Sequence, residues 1–420
     1  MGDLWERTAA ELLTQQSMSA ALATAVFVIV AVVWAVWSRL NVRRLQRIPL
    51  RILVTGTRGK SSSVRLIHAA LHEAGIPTLG KMTGTVSREL DTAGVEHTTK
   101  RIGQVSILEM IETVHRSFAR DATPPQAIVL ESMAVTPDLI GLCAVDIVRP
   151  QASVITNALW DHLEEQGTTL GAIAISLSRA MPGTELVITA EHRETTRATL
   201  GYEARLQGCA FDAVSGRNVD PATLERLPDA HPDNVAMALA IAAYAGIDGE
   251  TAVRGMENAT TEPLPARPVT AMIDGITWWY RDIGAINDTD SLTPALDDAR
   301  AQVPPGAVKL AILTTRWDRP LRAIQFASSI RPTDVDGLVI VGEPDIVVRH
   351  YARRIGWTDD RIIRVGAWGL GERPLYHRIA EFAARVEGAR PREIALIGLE
   401  NTHQYVADRI RGRMLGEDVL

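Results

Sequence analysis

Arg51-Ile-Leu-Val-Thr-Gly56-Thr-Arg-Gly59-Lys60-Ser61-Ser-Ser63 reads as an apolar strand, a turn with two glycines, and an amphipathic helix opened by Lys-Ser. Gly56 and Gly59 let the chain curl until backbone N–H groups converge, with the positive end of the helix behind them. That is an anion cradle, and Thr57, Arg58 and Ser62 belong to the same turn. Lys60 is placed to bridge outer phosphates and Ser61 to hold a magnesium ion. The spacing is G-x-x-G-K-S, two residues shorter than the common G-x-x-x-x-G-K-[ST] loop. A strand, a phosphate loop and a helix in this order open a parallel α/β sheet.

Composition supports a special role for the lysine. Of 44 Lys plus Arg, only Lys60, Lys81, Lys100 and Lys309 are lysine. A compact ammonium at Lys60 suits a tight phosphate loop that a guanidinium would overfill. The 420 residues can bury the cores of two domains. A net charge of -6 with no long basic run excludes a general nucleic-acid binder. Cys143 and Cys209 lie in apolar stretches without CxxC spacing, so neither a disulfide framework nor a zinc site is expected.

Ser19 to Trp37 carries no charge and is long enough to span a bilayer as a helix. Asp3, Glu6 and Glu11 outweigh Arg7 before it, whereas Arg39, Arg43, Arg44 and Arg47 follow it. The expected topology is single-pass in the cell membrane, N-terminus outside and the bulk of the chain in the cytoplasm. An acidic start and Trp34 and Trp37 near the end of the run argue against a cleaved signal peptide.

From Leu50 short apolar strands alternate with helical segments, the pattern of a doubly wound parallel sheet. Strands are expected at Arg51 to Thr55, Ala127 to Glu131, Ser153 to Thr156 and Glu185 to Thr189, with a helix over His231 to Ala245. Three prolines between Thr261 and Pro268 mark a domain boundary. Beyond it, strands at Lys309 to Thr315, Gly337 to Gly342, Arg361 to Gly366 and Glu393 to Leu399, and a helix at Pro320 to Ile330, make a second, smaller α/β domain. The polar stretch Met82 to Gly103 reads as a long substrate loop. The resulting organisation is an extracytoplasmic segment 1–18, a transmembrane helix 19–37, a basic juxtamembrane linker 38–49, a P-loop domain 50–262 and a C-terminal α/β domain 263–420.

Carboxylates fall where ligands of open α/β sheets bind. Ala-Ile-Val-Leu130 ends in Glu131, at the carboxyl edge of the sheet, which makes it the main candidate for a magnesium ligand. The next strand leads through Asn157 to Asp161-His162, toward the same crevice. Three strand ends converging on one edge point to a catalytic centre.

This ordered set resembles the Mur ligase superfamily, with a short phosphate loop, a strand-end glutamate and an Asn-(x)n-Asp-His strand end. Within it the chain is similar over nearly its whole length to the ATP-dependent ligase subunit of poly-γ-glutamate synthase, the PgsB/CapB family. Gly-Thr-Arg-Gly-Lys-Ser (56 to 61), Gly-Lys-Met-Thr-Gly-Thr (80 to 85), Glu-Ser-Met-Ala-Val (131 to 135), Asp161-His162 and the leading helix carry the likeness. The resemblance implies a fold of central ATP-binding and C-terminal α/β domains and an acyl-phosphate mechanism. It implies Lys60, Glu131 and His162 as catalytic residues, with Ser61, Glu131 and His162 as metal ligands. Asn234, Arg267, Asn287 and Asp288 are implied as nucleotide contacts. Thr83 and Thr85, in the resembling motif, and Arg88, Arg316 and Arg319, near the cleft, are candidates for substrate binding. The implied substrates are glutamate and a growing poly-γ-glutamate chain, and the implied partners are membrane-protein subunits of a synthase and export complex. A homo-oligomer stays open.

Two departures stand out. Several Mur ligases bridge metals with a carbamylated lysine, yet no lysine lies between Lys100 and Lys309. About 50 residues precede the phosphate loop, too few for the separate domain that peptidoglycan ligases use for a uridine-linked substrate. Two other readings remain at this stage: another ligase of the superfamily, of folylpolyglutamate or cyanophycin type, and a membrane-tethered P-loop ATPase without ligase activity.

Overall fold

The computed structural model describes residues 2–83, 87–99, 106–259, 268–283, 288–317, 319–343, 345–365, 374–399, 410, 412 and 414. In β1 (Leu50–Thr55) successive side chains face opposite sides, so Ile52 and Val54 enter one core and Leu53 the other. The same alternation holds in β5 (Ala127–Glu131), where Ile128 and Leu130 join Leu53 while Ala127 and Val129 join Ile52. Both faces are therefore covered, which is why these strands read as unbroken apolar runs.

With β2 (Thr78–Met82), β3 (Arg88–Leu90), β4 (Glu96–Thr98), β6 (Ala152–Ile155), β7 (Leu186–Thr189) and β8 (Ala210–Ala213), they form an eight-stranded sheet of order β4-β3-β2-β5-β1-β6-β7-β8. β1 lies at its centre, parallel to β5 and β6, with Val54 opposite Glu131 and Thr55 opposite Ile155. That register brings the phosphate loop, Glu131 and the segment after Ile155 to one edge.

A second sheet of order β13-β12-β11-β14-β10-β9 contains β9 (Val269–Ile273), β10 (Ile276–Asp282), β11 (Val308–Thr315), β12 (Gly337–Gly342), β13 (Ile362–Val365) and β14 (Glu393–Leu399). It is parallel except for the β9–β10 hairpin and has its own core on each face. The proline-rich boundary falls within 260–267, outside the described residues.

One sequence expectation needs correction. The stretch after Met82 was expected as a loop, but its described part contains the β3–β4 hairpin. Asp91 closes the turn by accepting from the N–H groups of Ala93 (3.0 Å) and Val95 (2.8 Å). Its charges obscure the alternation: Glu96 accepts from Arg88 across the hairpin at 2.6 Å and from Arg65 of a neighbouring helix at 2.5 Å.

The strands β2 and β8 and the hairpin β9–β10 were not anticipated either. The basic segment 38–49, read as a juxtamembrane linker, is helical as far as Gln46. Helix α1 (Gly2–Gln46) runs into it, and Asn41, Leu45 and Ile48 are buried against the central domain. Arg51 pins the end of α1 by donating to the carbonyls of Gln46 (2.9 Å) and Ile48 (2.6 Å). The apolar side chains from Met18 to Val36 are exposed, and among the described helices only this one is long and apolar enough to cross a membrane.

Candidate active site

The phosphate loop follows from its two glycines. Gly56 has φ 121 and Gly59 φ 82, conformations that side chains rarely adopt. A Cβ on Gly56 would lie 2.2 Å from Thr156 Oγ1 and 2.8 Å from Thr156 N. Asn157 braces the turn from the adjacent strand end. Its carbonyl accepts from Thr57 N–H at 3.0 Å and its Oδ1 from Arg58 N–H at 2.9 Å.

Helix α2 (Lys60–Glu73) starts with no side-chain cap, so its first N–H groups remain available to an anion. Lys60 is folded across the loop and donates to the carbonyls of Gly56 (2.8 Å) and Thr57 (3.0 Å). Burial lowers its pKa, while the charges of Glu131 and Asp161 act in the opposite direction.

Ser61 Oγ donates to Glu131 Oε2 at 2.8 Å, and the backbone N–H of Thr83 donates to the same oxygen at 2.8 Å. Glu131 is buried, yet its charge is met by a hydroxyl and an amide rather than a cation in these contacts. A hydroxyl beside a carboxylate is a hard-oxygen pair suited to Mg2+, with phosphate and water completing the shell. Among the described residues no group of three or more His, Cys, Asp and Glu converges as an all-protein metal cage. The chemistry therefore fits a metal brought with a nucleotide.

His162 faces the second domain. Arg319 Nη1 lies 2.9 Å from its Nδ1 and 3.4 Å from Nε2. Burial first, and then Arg319, Arg322 and Lys60, push its pKa down to about 3 against the pull of Asp161. The ring is neutral at physiological pH, with a lone pair to offer. Asp161 holds the His162 backbone N–H at 2.7 Å and accepts from Arg322 of the second domain.

Asn234, at the start of helix Pro232–Tyr244, accepts from Ser63 Oγ at 3.3 Å and backs the loop at Gly59. Asp288 caps helix Thr289–Ala301 and reaches Arg58 at 3.7 Å. Arg316 stands near enough to influence Arg319 electrostatically. Arg88 is already engaged with Glu96. Ser62 lies in the first turn of α2, half-buried. Thr85, Arg267 and Asn287 lie outside the described residues.

Sequence reasoning did not single out Arg322 or Arg193, which crosses to Asp290 at 2.7 Å. No local motif announces either, because each partner is more than 90 residues away. Asn157 was legible in the Asn-to-Asp-His strand end.

The model of the Mur ligase middle domain matches residues 54–179. Solved structures share the fold across both domains. MurF from Acinetobacter baumannii superposes with TM-score 0.55 at 14% identity, over 89% of this chain and 80% of that one. The ADP complex of folylpolyglutamate synthase from Mycobacterium tuberculosis gives 0.55 at 15% identity, over 91% and 94%. The Mur-ligase fold, the match to the Mur ligase middle domain and the likeness to PGA synthase CapB support an ATP-dependent carboxylate–amine ligase.

The model of the poly-gamma-glutamate synthase CapB C-terminal domain matches residues 273–412. PGA synthase CapB of Bacillus subtilis (strain 168) is 29% identical over 330 residues, 77% of this chain and 82% of that protein. The capsule biosynthesis protein CapB of Bacillus anthracis is 28% identical over 351 residues, 79% and 74%. The chain is thus similar to CapB proteins over more than three quarters of its length, and residues 273–412 match their C-terminal domain.

Proposed function

We propose that the chain uses ATP to activate the γ-carboxylate of glutamate, or of a growing poly-γ-glutamate chain, and joins it to the amino group of the next glutamate. The observation that carries this reading is the Lys60–Ser61–Glu131 cluster at the carboxyl edge of one sheet, faced by Arg319 of the other domain. The names of the CapB relatives favour glutamate over other amino acids.

A carboxylate is a poor electrophile because oxide is a poor leaving group. A carboxylate oxygen attacks the γ-phosphorus, the bond to the β-phosphate oxygen breaks, and ADP leaves. The amine then attacks the acyl carbon, phosphate departs, and the nitrogen gives up a proton. Lys60 and the uncapped N–H groups of α2 hold the phosphates, where fixed positive charge stabilises the transferring group. Magnesium bound with the nucleotide adds charge neutralisation. Ser61 and Glu131 are its proposed ligands, with His162 a third that must exchange Arg319 for the metal. Thr57, Arg58, Ser62, Asn234 and Asp288 are the further proposed nucleotide contacts; Arg267 and Asn287, proposed for the same role, lie outside the described residues. Arg316 and Arg319 are the proposed carboxylate clamps, and Thr83 and Thr85 are proposed for substrate binding, Thr85 lying outside the described residues. Arg88, neutralised by Glu96, is left out.

The exposed apolar part of α1 fits a single-pass anchor with the N-terminus outside and the catalytic domains in the cytoplasm. Such an anchor would keep the active site beside membrane subunits that receive the polymer. Hydroxylamine trapping tests the chemistry, using membranes, ATP, magnesium and a panel of carboxylates against a Lys60→Ala background. Glutamate-dependent hydroxamate that vanishes in the variant is the expected result. ATP turnover lost in the variant, with no hydroxamate from any carboxylate, would overturn the reading.

A further inference from the structure

We infer that Arg322 is a positioning residue: carried by the second domain, it holds Asp161 and so shapes the His162 end of the site only when the two domains are closed. Arg322 lies in the first turn of helix Pro320–Ser329, and Asp161 follows β6 of the central domain. Both are buried, at 3% and 5% exposure, and the Arg322 guanidinium donates to Asp161 Oδ1. Removing two charges from water is costly, so an ion pair of this kind is a weak source of stability. Its effect lies in the geometry it enforces.

That geometry is specific. The Asp161 oxygen that meets Arg322 also accepts the His162 backbone N–H at 2.7 Å. His162 has φ 52, a left-handed conformation uncommon outside glycine, and the carboxylate supports it. Arg319, three residues before Arg322, meets the imidazole at 2.9 Å and stands 3.9 Å from the same Asp161 oxygen. Between them Leu321 donates its backbone N–H to Glu164 at 2.9 Å. One helix start thus grips residues 161 to 164 at three points.

The other described polar contacts across this crevice, Arg58–Asp288 and Arg193–Asp290, belong to groups at least one-fifth exposed on the arginine side, whereas Arg322–Asp161 is sealed. Opening the domains strips Asp161 of its counter-ion, wets it and releases the turn that aims His162. Closure and site assembly therefore become one event. This rests on the ligase reading, in which an open crevice lets water consume the acyl phosphate.

The test uses the full chain in detergent with Asp229→Cys and Asp360→Cys as exposed labelling sites, the native Cys143 and Cys209 being buried. Arg322→Met, Arg322→Lys and Asp161→Asn are compared with the parent. The first readout is the interdomain distance distribution with a non-hydrolysable ATP analogue. The second is phosphate released per amide formed, alongside kcat and the KM for ATP. Arg322→Met should broaden and lengthen the distance, raise phosphate per amide several-fold, and lower kcat about 100-fold, the cost of a misplacement near 1 Å. The KM for ATP should move less than about threefold, since the phosphate loop is untouched. Arg322→Lys should fall between the two, which separates positioning from a folding defect. If Arg322→Met fails to fold, Asp161→Asn must show the same lengthening and uncoupling. Parent-like distances and coupling in the folded variants would overturn the inference. Failure of the ligase reading would look different: no amide from the parent itself, with the distance readout intact.

Discussion

Gly56→Ala and Gly59→Ala differ by one methyl each, yet the loop should tolerate them unequally. At Gly56 the new Cβ meets Thr156 Oγ1 at 2.2 Å and the Thr156 backbone N at 2.8 Å, and that backbone is held just past the end of β6 by its hydrogen bond to the Thr55 carbonyl at 2.9 Å. A sparsely populated backbone conformation costs about 1–3 kcal/mol, and overpacking adds about 1–3 kcal/mol. The expected loss is about 2–6 kcal/mol in total. At Gly59 the Cβ meets Asn234 Oδ1 at 2.6 Å, the end of a side chain that can turn away. There the left-handed backbone costs about 1–2 kcal/mol, and losing the Ser63–Asn234 hydrogen bond adds about 0.5–1.5 kcal/mol. Thermal unfolding of the detergent-solubilised chain measures the difference, at about 2–4 °C per kcal/mol for a domain of this size. Gly56→Ala should lower the midpoint more than Gly59→Ala, and both should weaken nucleotide binding. A larger drop for Gly59→Ala, or no drop for either, would refute the picture of a loop wedged against Thr156.

Other outcomes can be stated more briefly. Lys60→Ala should reduce turnover by at least about 100-fold through lost charge stabilisation, while the unfolding midpoint moves little, because the buried ammonium's desolvation cost disappears with its two hydrogen bonds. Steady-state kinetics and thermal unfolding on the same preparation check both halves. Glu131→Gln, which keeps an acceptor for Ser61 and Thr83 but loses the charge, should raise the magnesium needed for half-maximal turnover by at least about 10-fold in a titration at saturating ATP.

Hydrogen bonds from Arg65 and Arg88 hold the Glu96 carboxyl down at about 2, against 4.5 when free. Its stabilising effect should be complete above pH 4.5 and fade as pH falls toward 2. Denaturant unfolding of Glu96→Gln against the parent should show a gap that closes across that window. Leu45→Ala should cost about 2–5 kcal/mol in the same assay, because the end of α1 is core.

The centre of the fold was readable because its signals are local. β1 and β5 are apolar runs of strand length, and glycines, Lys60 and Ser61 mark the turn between strand and helix. The β9–β10 hairpin also left a signal that went unused: Asp274-Gly275 sits between two apolar runs with positive φ at both residues, the two-residue turn that suits strand twist. The β3–β4 hairpin is harder, since Arg88, Glu89, Glu96 and His97 break the alternation, and Glu89 and Glu96 draw partners such as Arg116 and Arg65 from separate helices. The grip of Arg319 and Arg322 on residues 161 and 162 could not be read at all. It depends on how two sheets are brought together, and a sequence separation of 157 to 161 residues leaves no periodic trace.

Oxygen transfer tests the central claim most directly. Glutamate labelled with 18O in its γ-carboxylate is incubated with ATP, magnesium and membranes containing the chain and its partners, and the released phosphate is analysed by mass. An acyl-phosphate ligase must move one labelled oxygen into phosphate for every amide formed. Phosphate free of label, released while ATP is consumed, would contradict carboxylate activation at this site.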